Sequence, residues 1–215
     1  MMRTLMLILL LVLSAGASWA APSFFGPTGV LNTPTAAVVQ PGSYNAFVNF
    51  VSSDPSNLTR YGANAGFGVS TPFEVGITRW DPELGDSRLV LNAKIVLPVQ
   101  MKTPGSLSVG VVDITDEITQ TPYVVYSREF AMATGPQSRP VYGSIGFGSS
   151  NFDVLDGLFL SAATPIANNA WLMLEFDAED FNAAARLRLS DTLSGDIGIV
   201  NNDLGLALDY TLVGK

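Results

Sequence analysis

The sequence predicts an all-β protein: a transmembrane antiparallel up-and-down β-barrel of about 12 strands that follows a cleaved signal peptide. Three observations lead to this prediction. The chain opens with a short apolar run ending in small residues, the rest alternates apolar with small or polar residues, and only 14% of the chain is charged. Since average proteins carry about 25% charged residues, we expect much of this surface to face something other than water.

Residues 1–20 have the form of a secretory signal peptide. Arg3 precedes the apolar run LMLILLLVL, and the stretch ASWA at 17–20 supplies small residues for cleavage after Ala20. The run is shorter than the ~20 residues that a transmembrane helix needs. We therefore expect a bacterial protein that is exported and then processed.

The segment 21–42 is rich in Gly, Pro and Thr and shows no sustained period. We interpret it as an irregular N-terminal segment that acts as a plug in the barrel lumen, runs along the rim or serves as a tether. The barrel itself is predicted to span residues 43–215.

The composition excludes several classes of function. The chain has no Cys and no His, which removes disulfides, zinc sites built on thiolate or imidazole, and nucleophiles activated by imidazole. We therefore predict no enzyme, no cofactor and no metal; a membrane phospholipase would need an Asp or Lys base for its Ser. With 19 acidic and 11 basic residues the net charge is −8, which argues against a nucleic-acid partner.

Short alternating segments fill the predicted barrel. They are separated by clusters of Gly, Pro, Asp, Asn and Ser, as expected for strands joined by turns. The predicted strands are 43–51, 60–70, 72–79, 88–97, 106–112, 121–130, 140–148, 157–165, 170–177, 180–189, 194–200 and 204–212.

The two faces of these strands differ in a way that favours a membrane barrel. The stretch DFNAAARLRLS places Phe181, Leu187 and Leu189 on one face, and Asn182 and Arg186 on the other. A soluble β-sandwich or lipocalin-like barrel would need a polar face rich in Thr, Lys and Glu. Here that face holds mainly Gly, Ala, Ser and Asn, which fit a crowded lumen with the apolar face toward lipid. A soluble secreted β-sandwich binding protein is the alternative.

Charged residues on the polar face are predicted to meet inside the barrel. If the connection 178–179 is a tight turn, Glu175 faces Asn182 and Trp171 faces Arg186. The group could form a constriction that orders a polar solute, or its charges could neutralise one another, which we favour because buried charges need partners. The predicted lumenal charge network comprises Glu74, Lys94, Glu175, Asp177, Arg186, Arg188 and Asp196.

One rim of the barrel is predicted to be acidic. With an even strand number and both termini in the periplasm, the alternate connections face outward, and they contain acids but no base. Carboxylates bind hard cations, yet the Asp-x-Asp-x-Asp-Gly pattern is missing, so we predict a solvated surface. The acidic rim comprises Asp81, Glu83, Asp86, Asp113, Asp116 and Glu117.

Three stretches resemble one protein family. FGPTGVLNTPTA at 25–36 is similar to the Gly-x-Thr-Gly segment, closed by Pro-Thr/Ser-Ala, of the YjbH-like outer-membrane proteins associated with exopolysaccharide production. EFDAEDFNAAARLR at 175–188 resembles the late hairpin of that family, and VVDITDE at 111–117 is a third match. The resemblance implies an outer-membrane barrel tied to the secretion or surface display of polysaccharide.

The predicted function is accordingly that of a non-catalytic, monomeric barrel in the bacterial outer membrane, a component of envelope or exopolysaccharide export or display. Its expected partners are outer-membrane lipid and polysaccharide or envelope export proteins. A narrow small-solute pore is the alternative, because 12 strands lie between filled 8-stranded barrels and open 16-stranded porins.

Overall fold

The computed structural model describes residues 21–100, 103–131, 139–151 and 155–214. The predicted signal peptide, residues 1–20, lies outside the described residues. Within the described ranges all regular structure is β-strand. In this part of the chain no helix is long and apolar enough to cross a membrane, a finding that does not bear on crossing by β-strands.

In the part of the chain that the structure describes, twelve antiparallel strands form one closed barrel. Each strand pairs with the next in sequence, and β12 pairs with β1, so the sheet has no free edge. This confirms the predicted up-and-down barrel and shows that the sandwich alternative is wrong. The strands are β1 (Tyr44–Ser52), β2 (Leu58–Phe67), β3 (Phe73–Pro82), β4 (Arg88–Val96), β5 (Ser106–Val112), β6 (Thr121–Ala131), β7 (Pro140–Gly148), β8 (Gly157–Ala167), β9 (Ala170–Phe176), β10 (Phe181–Arg188), β11 (Leu193–Val200) and β12 (Asp203–Leu212).

The two ends of the barrel are distinct. We call the end where β1 begins and β12 ends the termini end, and the opposite one the far end. The far end carries the connections 53–57, 83–87, 113–120, 149–156, 177–180 and 201–202.

Apolar side chains lie on the outside of the barrel. On β12, Leu204, Leu206 and Leu208 are 45%, 39% and 44% exposed, although these are large apolar residues on regular strands. On β9, Leu174 is exposed, whereas the neighbouring Met173 is buried. Because side chains alternate across a strand, each strand presents an apolar face outward and its second face to the lumen, as the sequence predicts.

The N-terminal segment lies inside the barrel. Residues 21–39, which we call the plug, are buried or half-buried, and residues 40–42 lead from it to β1. The plug donates hydrogen bonds to Glu74 on β3 and to Glu175 on β9. These strands are six apart in a ring of twelve, so they stand on opposite walls. The plug therefore crosses the full width of the lumen.

Glycines make room for the plug. A Cβ atom on Gly205 would lie 2.7 Å from Val200 and 3.3 Å from the ring of Phe24 in the plug. Gly26 has a φ of 112°, a left-handed value that L side chains rarely adopt, and its Cβ would lie 2.3 Å from the Thr78 hydroxyl. The small residues of the inner face thus leave the volume that the plug occupies.

Candidate functional site

Glu175 binds the main chain of the plug at one wall of the barrel. Its carboxylate accepts hydrogen bonds from the amides of Leu31, Asn32 and Thr33 at 3.1, 2.7 and 3.1 Å, and from the Thr33 hydroxyl at 2.9 Å. Asn182, opposite Glu175 on β10, donates a further bond at 2.9 Å. Several donors therefore satisfy a fully enclosed carboxylate, as a buried charge requires.

Asp177 stands beside Glu175 and joins the plug to the hairpin of β9 and β10. It accepts hydrogen bonds from the side-chain amides of Asn32 and Asn182, both at 2.8 Å, and from the main-chain amide of Asp180 at 2.8 Å. The last bond orders the turn between the two strands. One carboxylate thus fixes the turn and holds the plug against it.

The ion pair of Glu74 and Lys94 holds the plug at the opposite wall. The Lys94 Nζ atom lies 3.2 Å from a Glu74 carboxylate oxygen, and both side chains are almost wholly enclosed. Glu74 accepts bonds from the amides of Thr28 and Val39 at 2.8 and 3.0 Å. Lys94 donates to the carbonyls of Thr28 and Thr35 at 2.7 and 3.1 Å. Both charges of the pair are therefore engaged with the plug.

Arg186 and Asp196 form a second enclosed ion pair. The guanidinium donates two bonds to the Asp196 carboxylate, at 2.8 and 2.7 Å, and a third to the Val30 carbonyl of the plug at 3.2 Å. A bidentate contact of this kind is the strong form of an arginine–carboxylate ion pair. Asp209 on β12 is also buried and accepts a bond from Ser194, but the predicted network omits it.

Arg60 is an inward-facing cation that the sequence analysis missed. Its guanidinium carbon lies 4.9 Å from the centre of the Phe25 ring and 4.3 Å from that of Trp80. Position 60 has the same parity on β2 as Asn64, which is buried on the inner face. This shared parity is the feature of the sequence that could have placed Arg60 in the lumen. Arg60 binds the plug through cation–π contacts with Phe25.

One residue of the predicted lumenal charge network, Arg188, does not lie inside the barrel. Arg188 is exposed, whereas the other six predicted residues are buried. Arg188 is the last residue of β10, so it lies at the mouth of the termini end, where it lines a hollow of about 130 Å³ with Trp171 and Ser190. The six buried residues form separate groups on the two walls, each attached to the plug, rather than one continuous network.

The predicted acidic rim needs one correction as well. Asp113 is 2% exposed, and its carboxylate accepts hydrogen bonds from the amides of Glu117, Ile118 and Thr119. It orders a loop instead of facing water. The remaining rim acids are exposed or half-buried at the far end: Asp81, Glu83, Asp86, Asp116 and Glu117. Within the described ranges, no group of three or more acidic residues is arranged to hold a metal ion.

An apolar cluster closes the far end of the lumen. Phe25 of the plug packs with Trp80, Val112 and Leu155, and Ile118 packs against them. The hollow that remains there has a volume of only about 20 Å³, roughly the room for one water molecule. The plug and this cluster therefore block the barrel at the far end.

The comparisons with known proteins give no family. No protein-family model matches the chain, and no curated protein matches it significantly. The resemblance to YjbH-like proteins stays a prediction.

Proposed function

We propose that this chain is an outer-membrane β-barrel whose lumen is closed by its own N-terminal plug, and that it serves as a non-catalytic component of envelope or exopolysaccharide export or display. The observation that carries the proposal is a barrel with apolar side chains outside and charged side chains inside, bound to the plug.

The outer face supports a location in a membrane. Soluble monomers rarely expose apolar patches larger than a few hundred Å², and here exposed Leu, Ile, Val and Phe residues occur on strands all around the barrel. The strands have 7 to 11 residues, close to the ~9 to 11 that cross a bilayer when tilted. Exposed aromatic residues near strand ends fit interfacial girdles; they include Tyr44, Phe67, Phe73, Phe181 and Tyr210.

The two ends of the barrel differ in charge and in the position of the termini, and this difference supports one orientation in the outer membrane. In bacterial outer-membrane barrels both termini face the periplasm, which places the termini end there and the acidic far end at the cell surface. The far end is also the end that the apolar cluster closes. The barrel would therefore present a closed, acidic surface to the outside.

The proposed link to polysaccharide depends on the resemblance and on one feature that agrees with it. The stretch that resembles the family, residues 25–36, supplies most of the plug residues that contact Glu74, Lys94 and Glu175, and Val39 supplies one more contact to Glu74. If proteins of this family need a closed lumen, that need would explain the motif at 25–36, because its residues bind the plug to the barrel wall. We infer from this agreement a component of an export or display assembly.

A narrow small-solute pore is the second candidate. The termini end has two hollows, of about 130 and 240 Å³, beside the plug. They would serve as entrances from the periplasm if the plug moved. The bonds that hold the plug on both walls favour the non-conducting function.

Leu174→Arg should prevent most of the protein from assembling in the outer membrane. Leu174 is 50% exposed in the middle of the outer face, and an Arg at the bilayer midplane costs ~2 to 4 kcal/mol in such barrels. Leu84→Arg is the matched control, because Leu84 is exposed on a far-end loop outside the strands. The measurement is the amount of heat-modifiable barrel in outer-membrane fractions. Equal assembly of the two variants would show that the outer face does not meet lipid.

A further inference from the structure

Asp209 on β12 is an enclosed carboxylate with too few partners. It is 2% exposed, and among the described residues its one hydrogen bond comes from the Ser194 hydroxyl at 3.4 Å. Such bonds usually measure roughly 2.5 to 3.0 Å, so this one is weak. A buried carboxylate is costly unless a cation or several donors satisfy it. Asp209 therefore needs a partner that its own wall does not supply.

The other enclosed acids of the wall from β9 to β12 are satisfied. Glu175 and Asp177 accept hydrogen bonds from amides of the plug and of the hairpin of β9 and β10. Asp196 is paired with Arg186, which donates two bonds to it. Arg186 is the one enclosed cation among the described residues of these strands. Four enclosed acids thus share one cation, and Asp209 is the acid left over.

The first residue of the plug lies at the hollow next to Asp209. Ala21 is buried, and its carbonyl accepts a hydrogen bond from the Gly29 amide at 2.9 Å, which fixes its place in the plug. Ala21, Arg186 and Ser194 line the same hollow of about 130 Å³, which holds only a few water molecules. Because Ser194 also bonds Asp209, the start of the plug and this carboxylate meet at one small space.

The predicted cleavage after Ala20 changes the charge at this space. Before cleavage the nitrogen of Ala21 is a neutral amide. When a signal peptidase hydrolyses the bond, the oxygen of water leaves with Ala20 as part of a carboxylate, and both protons of water pass to the nitrogen of Ala21. The product is an α-ammonium group, which is charged at neutral pH and has three N–H donors.

We propose that the α-ammonium of Ala21 forms an enclosed ion pair with the Asp209 carboxylate, so that removal of the signal peptide completes the binding of the plug. The inference rests on the proposed export to the outer membrane and on the predicted cleavage. It goes beyond both by giving the new amino group a partner. A chain that keeps its signal peptide leaves Asp209 without a cation, so its plug is held less firmly.

The charges at the mouth of the hollow do not replace this ion pair. Arg188 and Asp191 also line the hollow, but both are exposed and they are opposite in sign. Water and salt screen exposed charges, whereas enclosed pairs are screened much less. Asp191 therefore offers a matched control for Asp209, since it is an acid of the same hollow that is open to water.

The first test is chemical labelling of the α-amine in the mature barrel purified from outer membranes. Mass spectrometry should show that this barrel begins at Ala21. A reagent selective for α-amines should modify the folded barrel about tenfold more slowly than the urea-unfolded chain, because charge-assisted hydrogen bonds contribute that factor or more. Asp209→Asn should remove most of this protection, and Asp191→Asn should keep it.

The second test separates the ion pair from simple burial of the amino group. Insertion of Gly-Gly after Ala20 moves the new ammonium by ~7 Å along the chain. The insertion should lower the urea midpoint of unfolding of the wild-type barrel. It should lower the midpoint of Asp209→Asn much less, because that variant has already lost the pair and the two changes are then not additive.

Each outcome supports or overturns a stated part of the proposal. If Asp209→Asn stays as protected as wild type, or if the insertion lowers both midpoints equally, Asp209 is not the partner and the outer-membrane location stands. Loss of protection in Asp191→Asn alone would place the amino group at the mouth and overturn the enclosed pair. A barrel that begins at another residue overturns the maturation step and leaves the location intact. Absence of the protein from outer membranes overturns both.

Discussion

Glu175→Ala is expected to turn a barrel that passes no steady current into one that conducts. The carboxylate accepts four hydrogen bonds from Leu31, Asn32 and Thr33 of the plug. Each buried donor left without a partner costs ~1 to 3 kcal/mol, so the plug loses its hold on this wall and water can enter. The measurement is single-channel current in planar bilayers, with wild type recorded under the same conditions.

Glu117→Ala is the matched control for this experiment, because Glu117 is an exposed glutamate on a far-end loop. It should remain as closed as wild type. A closed Glu175→Ala barrel would mean that the plug is held without this carboxylate. A steady open current from wild type would contradict the closed lumen and favour the pore.

Asp196→Ala is expected to destabilise the folded barrel by ~3 to 5 kcal/mol, the usual cost of breaking a buried ion pair. Of its hydrogen bonds to the described residues, the enclosed Arg186 would then keep only the one that it donates to the Val30 carbonyl. Both partners of the pair are almost wholly enclosed, with exposed side-chain fractions of 6% and 1%. The measurement is the urea midpoint of unfolding in lipid vesicles, followed by the shift in gel migration.

Asp86→Ala is the comparison for that measurement. Asp86 and Arg88 form an ion pair with 3.8 Å between the charged atoms, but the side chains are 88% and 47% exposed. Exposed pairs contribute at most ~1 kcal/mol, so the midpoint should change little. Similar small shifts in both variants would show that water reaches Arg186 and that the lumen is not filled.

The hairpin of β9 and β10 shows how much of the fold the sequence predicts. Alternation of side chains and the short connection are local features, and together they set the register of a hairpin. The predicted partners, Glu175 with Asn182 and Trp171 with Arg186, are the observed ones. The same reasoning applied along the chain predicts the twelve strands and the apolar outer face.

The plug contacts could not be predicted in the same way. The N-terminal segment has no period that assigns its residues to a face, and Leu31 and Glu175 are separated by 144 positions. Asp113 looked like a rim acid because its place in a loop suggested exposure, whereas local amide bonds bury it. Arg188 has lumenal parity but sits at the end of its strand, and parity alone does not tell where the lumen stops.

The central claim is that the outer face meets hydrocarbon while the plug fills the inside. The chain has no Cys, so single-cysteine variants allow one nitroxide label at a time at Leu206, Ala207 and Leu208 on β12. In bilayers, labels at Leu206 and Leu208 should be relaxed strongly by oxygen and weakly by a water-soluble nickel chelate. The label at Ala207 should be shielded from both. Relaxation of the Ala207 label by the nickel chelate would reveal a water-filled lumen, and relaxation of the other two by it would place the outer face in water.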